Sequence, residues 1–360
     1  MGVQAVADAL AQPELWIAAF AGGAFGAALG ALPAFIFTGF MVLIGESANI
    51  LKAELAGAGL IGADAFTVGI TGSIAFGPVF GPHISFAGGA AAAAYAARKG
   101  YMDTGFDYHE AKNIAHALGT KPDVLVVGGL FGILGMIVRQ VSFGFAMPWD
   151  PIAMGVVLSA VFHRLILGYS IIGTVRGRSI FDMDPFETEE MRQTAEGGEV
   201  VADGGVVQKE RLKVEPWLPH QYKWSGVAMI GLTVGILAAY VAVTTGSYFL
   251  AFGISATSLL FLNCGVEQIP VTHHISLPAS TAALAIVPAA EAVPMVPALL
   301  VGAAFGISGA LTGEVIQRIF YAHSDTHFDP PAAAIVVNTF FIAVLAMAGV
   351  LPQAGWVPLP

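Results

Sequence analysis

Charged residues leave long gaps in this chain. Residues 15–45 and 224–262 hold no Asp, Glu, Lys or Arg, and 269–313 holds only Glu291. A bilayer core takes about 20 apolar residues per helix, so each gap has room for at least one crossing. The ten-residue alternation of a membrane barrel is absent. The pattern predicts an all-α polytopic membrane protein with ten transmembrane segments: 14–31, 33–50, 66–97, 123–145, 151–174, 224–245, 247–263, 272–290, 295–320 and 331–351. The third is too long for one span and is interrupted at Gly81-Pro82. It reads as a re-entrant half-helix, 66–80, followed by a span, 83–97.

Polar stretches between these segments set a topology. Arg98, Lys99, Lys112 and Lys121 cluster in 98–122, and seven Lys/Arg lie in 175–223. Basic loops stay in the cytoplasm, so both stretches are expected there. The short turn 146–151 has no basic residue and is expected outside, with the N-terminus, in a plasma (inner) membrane protein. The first 14 residues carry Asp8 and Glu14 and no basic residue, unlike a cleavable signal. Segment 101–120 places Ala111, Ile114 and Leu118 on one helical face and predicts a short helix at the bilayer surface. The 175–223 stretch, with ten Asp/Glu against its seven bases, reads as a solvated linker.

Three signatures recur in the same order in both halves. His-Ile-Ser occurs at 83–85 and 274–276. Phe-Gly-Ile-x-Gly occurs at 131–135 and 305–309. Asp-Pro occurs at 150–151 and 329–330, each followed by a Val-Val pair. The order predicts two five-helix repeats: residues 1–174 with the insertion 98–122, and residues 224–360 after the cytoplasmic linker 175–223. An odd number of spans per copy inverts the second copy, the plan of many secondary transporters, with the solute site between the repeats.

Composition sharpens this picture. Of 360 residues, 56% are hydrophobic and 11% charged, where a soluble domain carries about 25% charged residues. Gly, 44 residues, concentrates in the apolar runs, which suits closely packed membrane helices. A net charge of −10 excludes nucleic acid as partner, and a single cysteine, Cys264, excludes an intrachain disulfide.

Polar residues within apolar segments are the candidate chemistry, because each must find a partner there. The substrate-binding candidates are His83, Ser85, His274, Ser276, Thr272, Glu267, Asn263 and Glu46; the two histidines sit beside helix-breaking Gly and Pro. Freed backbone groups at depth face protein or a water-filled cavity, and a neutral imidazole adds one donor and one acceptor. Arg139, His163 and Arg164 form a second rank. Glu314 and Arg318, spaced i,i+4, are expected to pair with each other. His323, Asp325, His327 and Asp329 offer ligand types suited to a divalent metal, although alternating polar residues in a loop between two spans are usually just solvated. No nucleotide-binding motif is present and no other cofactor is implied. The expectation is a transporter or channel-like permease for a small polar solute or ion, embedded in the lipid bilayer and compatible with a homo-oligomer. The alternatives are an intramembrane enzyme using histidine and carboxylate chemistry, or a membrane subunit of a larger complex.

Overall fold

Proline opens four of the long helices at the first-turn position, where its missing N–H costs nothing. The computed structural model describes residues 2–62, 65, 69–192, 200–201, 207–208, 211–289 and 291–360. The helices are α1 (Val3–Leu10), α2 (Pro13–Leu29), α3 (Ala31–Gly57), α4 (Ser85–Arg98), α5 (Pro122–Gly144), α6 (Pro151–Leu167), α7 (Asp184–Glu187), α8 (Trp224–Thr245), α9 (Leu250–Asn263), α10 (His273–Leu284), α11 (Met295–Phe320) and α12 (Pro330–Met347). A π-helical turn covers Ile70–Ala75, and Val200–Val201 pairs antiparallel with Val207–Gln208. Among the described residues, α3, α5, α8, α11 and α12 are long and apolar enough to cross a membrane. This all-α architecture is consistent with a helical membrane protein. The ten apolar segments are thus unequal: α2, α6 and α9 are apolar but shorter. Helices α4 and α10 have only 14 and 12 residues, and α10 is buried throughout.

Two sets of helices pack alike. Helix α2 lies on α4 and α5, α4 on α5 and α6, and α5 on α6. Helix α8 lies on α10 and α11, α10 on α11 and α12, and α11 on α12. The same small residues make the contacts. Gly23 meets Gly128 and Gly132, and Gly235 meets Gly302 and Gly306, at distances that admit no side chain. Helices α3 and α9 cross each other, and α6 packs on α12, which joins the sets.

The two sets run in opposite directions. Tyr95 of α4 bonds Asp123 at the start of α5, and Tyr169, just past α6, bonds the Ala94 carbonyl. The C-terminal ends of α4 and α6 therefore share one end of the molecule with the start of α5. Helix α12 is antiparallel to α6: Asp150 N–H donates to Thr339 Oγ1, while Arg164 holds Thr326 just before α12. Ala283 near the end of α10 clusters with Ala298 near the start of α11 and Ala239 of α8. Ala282 and Ala285 pack with Ile342 and Ala343 toward the end of α12. One end, here the loop end, carries the segments 98–122, 168–192 and 211–223. The other, the turn end, carries the 145–150 turn and the 246–249 connection.

Helices α4 and α10 begin inside the molecule rather than at either end. The His83 carbonyl abuts Gly135, midway along α5, and the His274 carbonyl abuts Gly309, midway along α11. The irregular segment entering each helix is tied to the packed pair α3 and α9. Thr38 Oγ1 donates to the Phe80 carbonyl at 2.5 Å, and Ser255 and Thr272 hydroxyls bond at 2.6 Å.

Three local expectations are corrected. The half-helix expected over 66–80 is, where described, a π turn followed by irregular chain to His83; residues 66–68 lie outside the described residues. The surface helix expected over 101–120 is a single 3-10 turn, Glu110–Lys112, in an otherwise irregular segment folded into the interior. Buried partners for Lys112 and the left-handed Gly105 and Gly119 outweigh its amphipathic pattern. The 175–223 linker is not simply solvated, since Arg192, Arg211 and Glu215 are buried.

Candidate functional site

A cavity of about 280 Å³ lies where the two sets meet. Its wall is built from matching positions on both. Pro82 and His273 enter α4 and α10; Phe86 and Leu277 lie four residues further on; Ala153 and Ala332 lie on the first turns of α6 and α12. Asp150 and Asp329 complete the pairing as N-caps, the shared reason for both Asp-Pro signatures. Asp150 Oδ1 accepts from the Ile152 and Ala153 N–H groups, and Asp329 Oδ2 from Ala332 N–H.

Toward the turn end the wall is aromatic. The Phe249 ring lies 5.2 Å from Phe76 and 5.3 Å from Trp356. At mid-depth the His273 ring sits 4.7 Å from Phe35 and edge-on to Phe252. Its Nδ1 is buried with no partner among the described residues.

Toward the loop end the cavity is floored by Lys112, Trp217 and Tyr321 over a buried ionic network. Lys112 Nζ donates to Glu215 Oε2 at 2.7 Å and to the Tyr321 carbonyl at 2.9 Å. Arg211 bridges Glu215 and Asp325, and Arg192 also reaches Asp325. Burial lowers the Lys112 ammonium to about 8, against the pull of Glu215. Burial also lowers nearby His109 to about 3, with Arg211 adding to the effect. The network ties the 98–122 segment and the 211–215 stretch to the 321–329 loop.

The sequence candidates fall into separate places. His83 and His274 are buried at equivalent positions, but the cavity is lined by Pro82 and His273, their chain neighbours. The His83 side chain lies against Gly155, and the His274 ring against Gly313 and edge-on to Trp217. Ser85 and Ser276 hydroxyls return to the Gly81 and His273 carbonyls, and Thr272 serves the Ser255 tie. Asn263, the last residue of α9, and Glu267, in the α9–α10 connection, are exposed. Glu46 is a buried clamp at the turn end, accepting from Thr71, Asn49 and Ser247. Arg139 bonds Gln140 and lies over the Phe143 ring.

His163 and Arg164 join the sets. His163 Nε2 shares a 2.9 Å bond with Thr326, and Arg164 donates to Thr326 and Ser324. The expected Glu314–Arg318 pair forms at 2.5 Å. A smaller recess of about 10 Å³ adjoins the cavity between Ser159, His163, His327 and Asp329. Ser159 Oγ, His163 Nδ1 and His327 Nδ1 have no partner among the described residues.

The expected metal set is not assembled. His323 faces the Ile180 carbonyl, Asp325 is held by Arg192 and Arg211, and only His327 and Asp329 approach each other, at 3.3 Å. Successive loop residues point to different partners, so no group of three or more His, Cys, Asp or Glu among the described residues is placed to hold an ion. Sequence reasoning missed Lys112, Glu215 and Trp217 as site residues. It had Asp150 in view as a repeat marker, and that shared position was the available signal.

The chain belongs to a family of unknown function, DUF7973, whose model matches residues 5–360. No curated protein and no solved structure matches it.

Proposed function

We propose that this family member is a membrane permease whose solute site is the central cavity. What supports this reading is that Pro82 and His273, Ala153 and Ala332, and Asp150 and Asp329 bring both helix sets into one wall. On this reading α2–α6 and α8–α12 are inverted repeats, with the short helices α4 and α10 as the broken segments. Transporters built this way hold solute at the repeat interface and expose it to each side in turn by rocking one repeat against the other. The basic segments 98–122 and 175–223 orient the loop end to the cytoplasm. The turn end, where Gly2 N–H bonds the Gly144 carbonyl, faces outward across the plasma membrane. The wall narrows the expected solute from simply polar to a small molecule with an apolar body and a polar group.

Sided labelling tests this. Cysteines replacing Ala153 and Ala332 on a Cys264→Ser background are treated in proteoliposomes with a membrane-impermeant maleimide from each face. Both should react, and both should change together when the preferred side of access changes. Failure of both to react from either face would contradict a passage through the cavity.

A further inference from the structure

The cavity wall is mostly apolar, yet two carboxylates face it and its one ammonium is already neutralised. We infer, on the reading of the cavity as the solute site, that the solute is a small organic cation with an apolar body. Asp150 and Asp329 stand at matching places in the wall. Asp150 commits only Oδ1 to its helix, and Oδ2 has no partner among the described residues. Lys112 is answered by Glu215, by the Tyr321 carbonyl and by the Tyr321 ring 4.4 Å away. Arg192 and Arg211 behind the floor are spent on Asp325, and Arg164 on Thr326, Ser324 and the Ile171 carbonyl. None of these three arginines lines the cavity, and neither does Arg139, whose charge reaches Asp150 from outside the wall.

The rest of the wall suits the same ligand. Phe35, Phe86, Phe252, Trp217 and Tyr321 surround the space. Aromatic faces attract a desolvated cation through the ring quadrupole while receiving its apolar groups. An anion would meet two carboxylates and no free ammonium. A neutral apolar solute would leave Asp329 with only the His327 imidazole at 3.3 Å, and Asp150 with only Arg139 outside the wall, as answering groups. The recess beside Asp329 is too small for such a body and leaves the main cavity as the seat.

The test compares three probes of similar size on the purified full chain: benzyltrimethylammonium, benzenesulfonate and benzyl alcohol. Binding is read by titration calorimetry and by the change in tryptophan emission, to which Trp217 and Trp356 in the cavity wall contribute. Asp150→Asn and Asp329→Asn remove the charge and keep the cap, because Asn caps a helix as well as Asp. The ammonium should bind most tightly, and each Asn variant should weaken it tenfold or more with unchanged thermal stability. Equal or tighter binding of either other probe, no binding of the ammonium, or unchanged affinity in both variants overturns the assignment. Sided labelling of the wall cysteines is unaffected by these outcomes, so the class of solute can fail while the passage stands.

Discussion

Replacing Gly135 by Ala probes the contact that seats the broken segment. A Cβ at Gly135 would lie 1.6 Å from the His83 carbonyl oxygen and 2.7 Å from its carbon. Heavy atoms prefer about 3.5–4 Å, so α5 and the entry to α4 must part by roughly 2 Å. Both sides of the contact are backbone, which no rotamer change can relieve. The glycine Cα–H points at that oxygen, a weak hydrogen bond also lost on separation. Overpacking costs about 1–3 kcal/mol and sometimes more, and Gly135→Ala should fall at or above the top of that range. Gly309→Ala is the internal comparison: its Cβ would lie 2.5 Å from the His274 oxygen, so its cost should be smaller. Gly226→Ala has nothing within 4 Å and should gain up to about 1 kcal/mol from helix propensity. Thermal unfolding of the three variants in detergent, followed by monodispersity after heating, gives the order. Wild-type stability in Gly135→Ala would refute the close approach of His83 to α5.

Lys112→Ala should destabilise by about 3–5 kcal/mol, because it leaves Glu215 buried with a partner removed; the double variant Lys112→Met, Glu215→Met should recover much of the loss in the same assay. Between about 8 and its ordinary value near 10.5 the unfolded chain holds a Lys112 proton that the folded chain does not, so stability should rise with pH across that window. Subtracting the Lys112→Met profile isolates this increment, and identical slopes would contradict it. Glu46→Ala strips the acceptor from the buried Thr71 and Ser247 hydroxyls and should cost about 1–3 kcal/mol for each, while exposed Asn49 turns to solvent. Cys264 is exposed, and its maleimide adduct should leave the melting temperature unchanged.

Much of the helical framework was legible because apolar runs and Asp-Pro starts carry local signals. Each of the three short recurrences falls at a packing contact: the buried entry to α4 or α10, the glycine face of α5 or α11, and the cap of α6 or α12. The site was harder to read. His83 and His274 recur because their backbone is seated against Gly135 and Gly309, a packing demand that looks in sequence like a ligand demand. The residues that do face the cavity include Pro82 and His273, one position earlier, where the two sets differ. Lys112 was assigned to a surface helix because nothing local reveals that Glu215, over 100 residues away, waits inside. The 321–329 loop resembled a metal site because alternation of His and Asp is equally what a loop needs to bond Ile180, Arg192 and Arg211 on different sides.

Solute flux through a blockable cavity tests the central claim most directly. Proteoliposomes carrying Ala153→Cys on the Cys264→Ser background are loaded with a compound selected by thermal shift, and efflux is followed before and after modification with a bulky maleimide. The account predicts flux in the unmodified protein, near-complete loss on modification, and no loss when the same reagent meets Cys264 on the otherwise wild-type chain. Flux that persists with the cavity wall modified would contradict it.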